Sequence, residues 1–265
     1  MPLVMPLVEE IRERMLEKCP LMRVYDVEGL DGGNNKNNDS NYISVEKECG
    51  DDEESGGEEI GPMLMLRRVE FWLYFFAYLF GATLGLVYLN NLGQISESRG
   101  CLQTSSLVSL ASAFGFFGRL LPSLINYFFS KKKCTVSTVM AMGAMMAPMC
   151  GAFFILAINR HDFVLYIATA IIGICTGAIT SISVSTTTEL FGAKNFGVNH
   201  NIVVLNIPIG SFLFGDFAAL VYNINEGYGQ DSCLGHECYQ TTFLIWSILC
   251  VSGTLMALSL HLRTK

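Results

Sequence analysis

Long apolar runs alternate with short polar clusters along the second part of the chain. Four of these runs contain no Asp, Glu, Lys or Arg, and two more contain a single charged residue. Each run can hold the roughly 20 apolar residues that a membrane-crossing helix needs. The pattern therefore predicts an all-α membrane protein with six spanning helices, at about 71–92, 107–129, 134–158, 163–188, 202–222 and 242–262.

The composition favours this class over the soluble alternatives. Of the 265 residues, 51% are hydrophobic and only 15% are charged. A soluble enzyme usually carries about 25% charged residues. The same numbers argue against a disordered chain and against a small secreted domain held by disulfides.

The charge divides the chain into two parts. Residues 1–66 contain 16 acidic and 6 basic residues, whereas residues 67–265 contain 8 and 11. The stretch 29–61 is rich in Gly, Asn, Asp and Glu, which is typical of a chain without a packed core. We therefore predict an acidic, largely disordered segment over 1–66 and a six-helix membrane domain over 67–265. The acidic segment is either a solvated linker or a tail that binds a partner.

Lysine and arginine placement predicts the orientation. One set of helix flanks holds eight of these residues, and the other holds only Arg99 and Arg160. Because cytoplasmic loops carry the excess of Lys and Arg, the first set should face the cytosol, together with both chain termini. The eight residues are Arg67, Arg68, Lys131, Lys132, Lys133, Lys194, Arg263 and Lys265.

The first and fourth predicted helices resemble each other. Phe71–Tyr74 and Phe163–Tyr166 share Phe, Leu and Tyr at an offset of 92 residues, and two glycines follow in each helix at the same offset. Because these helices cross in opposite directions, the match predicts an inverted repeat of three plus three helices. The glycines predict close helix packing, either within the chain or across a dimer face. They are Gly81, Gly85, Gly173 and Gly177.

Two charged residues interrupt the apolar runs. A charge at the centre of a membrane helix costs at least about 2.5–3.5 kcal/mol, so each needs a physical reason. Arg119 lies 12 residues before Lys131, roughly 18 Å along a helix. It is a substrate-anion contact or a gate ion pair, or else it snorkels or pairs structurally. Asp216 either carries a coupling proton or reaches outer water.

Three asparagines complete the candidates for a solute path. Asn206 precedes Pro208, which has no N–H and leaves a helix carbonyl free. Asn206 is either part of a path or in contact with cytosolic water. Asn90 and Asn91 line a vestibule or form a polar helix end. Together the predicted path residues are Arg119, Asn90, Asn91, Asn206 and Asp216.

Cys233 and Cys238 differ from the other cysteines because they lie in the predicted outer loop before the last helix. A local disulfide or two free thiols fit an outer loop. We predict no metal site there, because His236, Glu237 and Cys238 are adjacent and cannot wrap one ion. The chain has no phosphate-binding loop, zinc motif, hydrolase elbow or dinucleotide fingerprint, so we expect neither an enzyme nor a cofactor, and no nucleic-acid partner.

Several motifs bear a family resemblance. Phe114–Arg119, followed by Lys131–Lys133, resembles the eighth helix and the next loop of major facilitator transporters. Glu189–Gly192 and Asn206–Ser211 resemble the plant nodulin-like transporters, including the group called nuclear fusion defective 4-like. That group is also similar at Cys233–Tyr239.

The resemblance implies that the chain is the C-terminal half of a twelve-helix major facilitator fold. Residues 1–66 would then be the end of the central cytosolic loop. The function implied is secondary transport of a small solute or ion across the plasma membrane or an endomembrane. The partners implied are the lipid bilayer and a second six-helix half, or a second copy of the chain. The alternatives are a non-transporting membrane adaptor and a truncated, inactive half-transporter.

Overall fold

A computed structural model describes residues 60–100, 103–130, 137–225, 235 and 237–264. This part of the chain contains six apolar helices long enough to cross a membrane, and no strand. The prediction of an all-α membrane protein with six spanning helices is confirmed. The helices are α1 (Val69–Asn90), α2 (Thr104–Ser130), α3 (Thr138–Ile158), α4 (Asp162–Phe191), α5 (Phe196–Asn225) and α6 (Glu237–Arg263).

The helix ends differ from the predicted ones where polar residues join a helix. The fourth helix continues past residue 188 to Phe191. The hydroxyls of Thr186, Thr187 and Thr188 donate to backbone carbonyls one turn earlier in the same helix. The fifth helix begins at Phe196 rather than near 202, because its first turns are too polar to read as membrane-spanning.

Two helices contain an irregular turn. In α1, residues Leu79–Thr83 form a π-helical turn between regular α-helical parts. In α5, regular α-helix stops at Val204 and resumes at Asn206. Pro208 has no N–H to donate to the carbonyl of Val204, which accounts for this second interruption.

Contacts at one end of the bundle join the start of α1 to the end of α6. Arg263 lies 3.9 Å from Glu70. At the same end the Thr138 hydroxyl donates to the Glu189 carboxylate at 2.5 Å, which joins the start of α3 to the end of α4. We call this the Glu70 end.

Contacts at the opposite end join the complementary helix ends. Arg99, after α1, donates to the carbonyl of Leu156 near the end of α3 at 2.7 Å. Arg160, before α4, lies 3.9 Å from Glu237 at the start of α6. We call this the Arg99 end. The two groups of contacts show that α1 and α3 run in one direction and that α4 and α6 run in the opposite direction.

The core lies where α1, α3, α4 and α6 meet. The side chains of Tyr88, Phe153, Phe243 and Trp246 are fully buried there. Phe153 and Trp246 make an edge-to-face contact, with ring centroids 5.7 Å apart. Since lipid is as apolar as these side chains, close packing rather than exclusion from water stabilises their contact.

Helices α2 and α5 lie on the outside of the bundle. Only 11% of the most apolar window of α2 and 22% of that of α5 are buried, against 61% for α1 and 56% for α4. We call the outward-facing surfaces of α2 and α5, taken together, the exposed flank. Of the two charged residues that interrupt the predicted spans, Arg119 lies on α2 and Asp216 lies on α5.

The end of the predicted acidic segment belongs to the bundle. Ile60 and Met65 are buried, and Pro62–Met65 is a short helix. The Ile60 N–H donates to the carbonyl of Phe191 at 3.2 Å, and the Ile60 carbonyl accepts from the side-chain amide of Asn199 at 3.0 Å. The predicted disorder of the remaining residues, 1–59, concerns a stretch outside the described residues.

Candidate functional site

Glycines bring α2 and α4 into backbone contact. A Cβ atom added at Gly118 would overlap the carbonyl of Ile174, and one added at Gly177 would overlap the carbonyl of Gly115. A Cβ at Gly173 would lie 2.9 Å from the carbonyl oxygen of Ala111. Small residues allow membrane helices to approach this closely. The crossing therefore fixes the middle of α2 against the middle of α4.

Glycines on α1 have the same role toward α4 and α3. A Cβ at Gly85 would overlap the side chain of Thr176, and one at Gly81 would lie 3.2 Å from Met146. Gly81, Gly85, Gly173 and Gly177 are all buried within the bundle. The sequence leaves open whether these glycines pack within the chain or across a dimer face, and in the structure they pack within the chain.

A cavity of about 350 Å³ opens between α1, α2 and α4 beside this crossing. We call it the Arg119 cavity. Apolar residues form most of its wall, three hydroxyl groups interrupt them, and Arg119 is its charged member. The residues that line it are Leu86, Leu89, Leu92, Val108, Ala111, Ser112, Gly115, Phe116, Arg119, Gly173, Thr176, Gly177 and Thr180.

The Arg119 guanidinium has no hydrogen bond or ion pair with any residue that the structure describes. The residue is exposed at the surface of the bundle. It follows 15 residues of α2, which places it about 22 Å from the Arg99 end. An arginine at that depth is costly unless another group or water compensates its charge.

Asp216 is the corresponding charge on α5. It is exposed and also has no ion pair among the described residues. Its neighbours on the same helix face are large and apolar: Phe212 is 71% exposed, and Leu220 is 57% exposed. The exposed flank therefore carries one charge of each sign, on two different helices, and neither charge has a partner among the described residues.

Asn206 lies inside the bundle. It is fully buried, and its side-chain oxygen accepts a hydrogen bond from the Thr83 hydroxyl at 2.7 Å. Its amide group donates to the carbonyl of Phe75 at 3.5 Å. Asn206 thus joins α5 to the π-helical turn of α1. Its burial does not agree with contact to cytosolic water, and its role in a path stays a prediction.

Asn90 and Asn91 lie where α1 ends. Asn90 is exposed, and the Asn91 amide donates to the carbonyl of Val87 at 2.9 Å. Asn91 therefore satisfies a carbonyl of its own helix end, and neither residue lines the Arg119 cavity. This placement fits a polar helix end, and a vestibule role stays a prediction.

Cys238 is buried at the start of α6 and is disulfide-bonded. Cys233 lies outside the described residues. The predicted pairing of these two cysteines therefore stays a prediction.

Sequence reasoning missed the hydroxyl groups of the cavity. Ser112, Thr176 and Thr180 line it beside Arg119. The two threonines could have been found from the sequence, because Thr176 precedes Gly177 directly and Thr180 follows it by three residues. Residues near a close helix crossing face the neighbouring helices. Thr83 was also missed, because its π-helical turn leaves no mark in the hydrophobic pattern.

A second cavity, of about 250 Å³, lies between α2, α3 and α4 toward the Glu70 end. The described residues that line it include no charged one, and most of them are apolar, as at Leu121, Ile125 and Met145. The Arg119 cavity is therefore the better candidate for a polar or charged solute.

Comparison with known proteins identifies the family. The model of the family described as "NFD4, C-terminal domain" matches residues 54–265, which include all six helices and the Arg119 cavity. A curated relative, "Protein NUCLEAR FUSION DEFECTIVE 4" of Arabidopsis thaliana, is 42% identical over 217 residues. That match covers 79% of this chain and 37% of the relative, so the chain spans little more than a third of the relative's length. The resemblance to the nuclear fusion defective 4-like group is confirmed, and the chain belongs to the NFD4 C-terminal domain family.

Proposed function

We propose that this chain is one half of a secondary transporter of the major facilitator type. The observation that carries the proposal is a pair of exposed charges on the two outer helices, Arg119 on α2 and Asp216 on α5, neither of which has a partner among the described residues. Either charge against lipid would cost at least about 2.5–3.5 kcal/mol near the helix centre. Outer helix surfaces with such charges are better suited to face water and a second helix bundle than hydrocarbon.

The arrangement of the helices supports the same proposal. In transporters built from repeats, the solute lies near the middle of the membrane, between structural halves. Here α1 and α4 contact each other, α2 packs on α4, and α5 packs on α1. If the first three helices are exchanged with the last three, the contact of α2 with α4 becomes that of α5 with α1, and the contact of α1 with α4 is unchanged. An inverted repeat of three plus three helices would have this property.

The second half would complete the path. In our proposal it comes from a second copy of this chain, and the two bundles rock against each other around a bound solute. The Glu70 end faces the cytosol, in agreement with the excess of Lys and Arg that flanks it. The membrane is the plasma membrane or an endomembrane.

Transport by the purified chain tests the proposal. Proteoliposomes containing the chain are incubated with a uniformly ¹³C-labelled extract of small metabolites, washed, and analysed by mass spectrometry. We expect a few labelled solutes to accumulate with the wild-type chain and none of them with empty liposomes. Single-molecule photobleaching in the same liposomes counts the copies in each particle, and we expect two bundles in every transporting particle.

Absence of uptake from liposomes that contain paired bundles would contradict the proposal. It would favour a membrane adaptor, which binds partners without moving a solute. A matched variant controls for leakage: Asp216→Asn should reduce uptake at unchanged protein content, whereas Glu97→Gln, after α1, should not.

A further inference from the structure

The lining of the Arg119 cavity combines one positive charge with an apolar wall. Its other polar side chains are the hydroxyls of Ser112, Thr176 and Thr180, and no acidic residue is among the described residues that line it. A cation would meet an uncompensated like charge there. A neutral apolar solute would leave the guanidinium without a partner.

An anion would supply what Arg119 lacks. Arginine forms paired, charge-assisted hydrogen bonds with a carboxylate, because the planar guanidinium matches the two carboxylate oxygens. One guanidinium balances one negative charge. A dianion such as a phosphate ester would carry a second charge into a wall that offers only hydroxyl groups to it.

The size and the walls of the cavity limit the rest of the solute. About 350 Å³ is near the lower end of the range of about 300–1,000 Å³ that ligand pockets span. Leu86, Leu89 and Phe116 face the space beside Arg119. These side chains suit a short hydrocarbon body rather than a sugar, whose hydroxyl groups would lose their hydrogen bonds to water.

Arg119 is the only charged donor among the described residues that line the cavity. The Thr180 hydroxyl already donates to backbone carbonyls of its own helix, at 3.0 Å to Thr176 or 2.9 Å to Gly177. The Thr176 hydroxyl is buried and lies 4.0 Å from the sulfur of Met149. The solute's charged group should therefore lie at Arg119.

We propose that the Arg119 cavity binds a small monocarboxylate with an apolar body, held by the Arg119 guanidinium. This inference rests on the proposed transport function, since it names the class of solute for the same site. Binding can be measured without transport, so the two can fail separately.

The probe is 4-methylpentanoate, a branched monocarboxylate of suitable size. Ligand-observed saturation-transfer NMR and calorimetric titration measure its binding to the whole chain in nanodiscs. We expect 4-methylpentanoate to bind at least ten-fold more tightly than 4-methylpentanamide, which has the same shape and no charge. It should also bind more tightly than 3-methylbutylphosphonate, measured at a pH where that compound is a dianion.

Variants locate the binding at Arg119. Arg119→Gln should weaken 4-methylpentanoate binding at least ten-fold, and Arg119→Lys should give an intermediate value because it keeps the charge and loses the paired geometry. Arg160→Gln removes the same charge outside the cavity, where Arg160 is 73% exposed and pairs with Glu237. It should leave binding unchanged.

Three results would overturn the inference: equal binding of the amide, tighter binding of the phosphonate, or unchanged binding by a folded Arg119→Gln chain. If the carboxylate binds through Arg119 but liposomes show no uptake, the site stands and the transport proposal fails. If a different solute is transported and the carboxylate neither binds nor competes, transport stands and the assignment of the site fails.

Discussion

Arg119 and Asn206 have the same setting in the sequence and opposite settings in the structure. Each is a polar residue inside an apolar helix, followed within a turn by a proline, Pro122 or Pro208. Arg119 is exposed, lines a cavity and has no partner among the described residues. Asn206 is fully buried and bonded on both sides of its amide.

The neighbouring helix makes the difference. Opposite Arg119, α4 presents Gly173 and Gly177 to the backbone of α2, so the two helices touch there without offering a polar partner to the guanidinium. Opposite Asn206, α1 has its π-helical turn and provides the Thr83 hydroxyl and the Phe75 carbonyl. A polar residue near a proline therefore predicts a polar site within an apolar helix. It does not predict whether that site is exposed, as at Arg119, or buried, as at Asn206.

The largest expected effect comes from the crossing beside Arg119. Gly177→Ala places a Cβ against the carbonyl of Gly115, so the two helices must separate. Overpacking of this kind typically costs about 1–3 kcal/mol. We expect a lower melting temperature by intrinsic tryptophan fluorescence and weaker binding at the Arg119 cavity.

Gly215→Ala is the matched control, because a Cβ there meets nothing within 4 Å. It should leave the melting temperature unchanged or raise it slightly, since alanine favours a helix more than glycine does. Equal losses in the two variants would show that the close crossing of α2 and α4 is not what the substitution disturbs.

A smaller loss of stability is expected at the buried site of Asn206. Asn206→Leu removes both hydrogen bonds of the amide and leaves the Thr83 hydroxyl buried without its partner. Side-chain hydrogen bonds in membrane proteins average about 0.6 kcal/mol and reach about 1.7. The double variant Thr83→Val with Asn206→Leu should lose less than the sum of the two single variants. Additive losses in this cycle would mean that the two side chains do not interact.

Removing the exposed charge of Arg119 should hardly affect the free energy of unfolding. Because Arg119 has no partner among the described residues, Arg119→Gln breaks no such contact, and we expect a change in unfolding free energy within about 0.5 kcal/mol. The melting temperature of the unliganded chain in nanodiscs is the readout. A loss of stability as large as that of Asn206→Leu would indicate a structural role for Arg119. It would then contradict the contrast between the exposed Arg119 site and the buried Asn206 site.

A similarly small effect, which depends on salt, is expected at the bundle ends. Arg263 and Glu70 are 3.9 Å apart, and the Arg263 side chain is 56% exposed. Exposed ion pairs contribute about 0–1 kcal/mol, and salt screens them. Arg263→Gln should therefore lower the melting temperature slightly at low ionic strength and not at all in 0.5 M salt. A loss that persists in high salt would point to packing rather than charge.

Features that depend on one helix could be predicted from the sequence, and features that depend on two could not. The six spans follow from length and apolar content alone. The depth of Arg119 follows from its position in its span. The partner of Asn206 could not be predicted, because it requires the π-helical turn of α1 to meet α5. The Ser112, Thr176 and Thr180 hydroxyls share one cavity only through the crossing of α2 and α4.

Water access beside Arg119 tests the central claim most directly, namely that the Arg119 cavity is an aqueous site rather than lipid-facing surface. A membrane-impermeant, charged methanethiosulfonate is applied to membranes that contain Ser112→Cys, which lines the cavity, or Ile248→Cys, which is 67% exposed on α6. The two positions lie about 12 and 17 Å from the Arg99 end. We predict rapid modification of Ser112→Cys above the background of the parent chain, and none of Ile248→Cys. Equal protection of both cysteines would contradict the account.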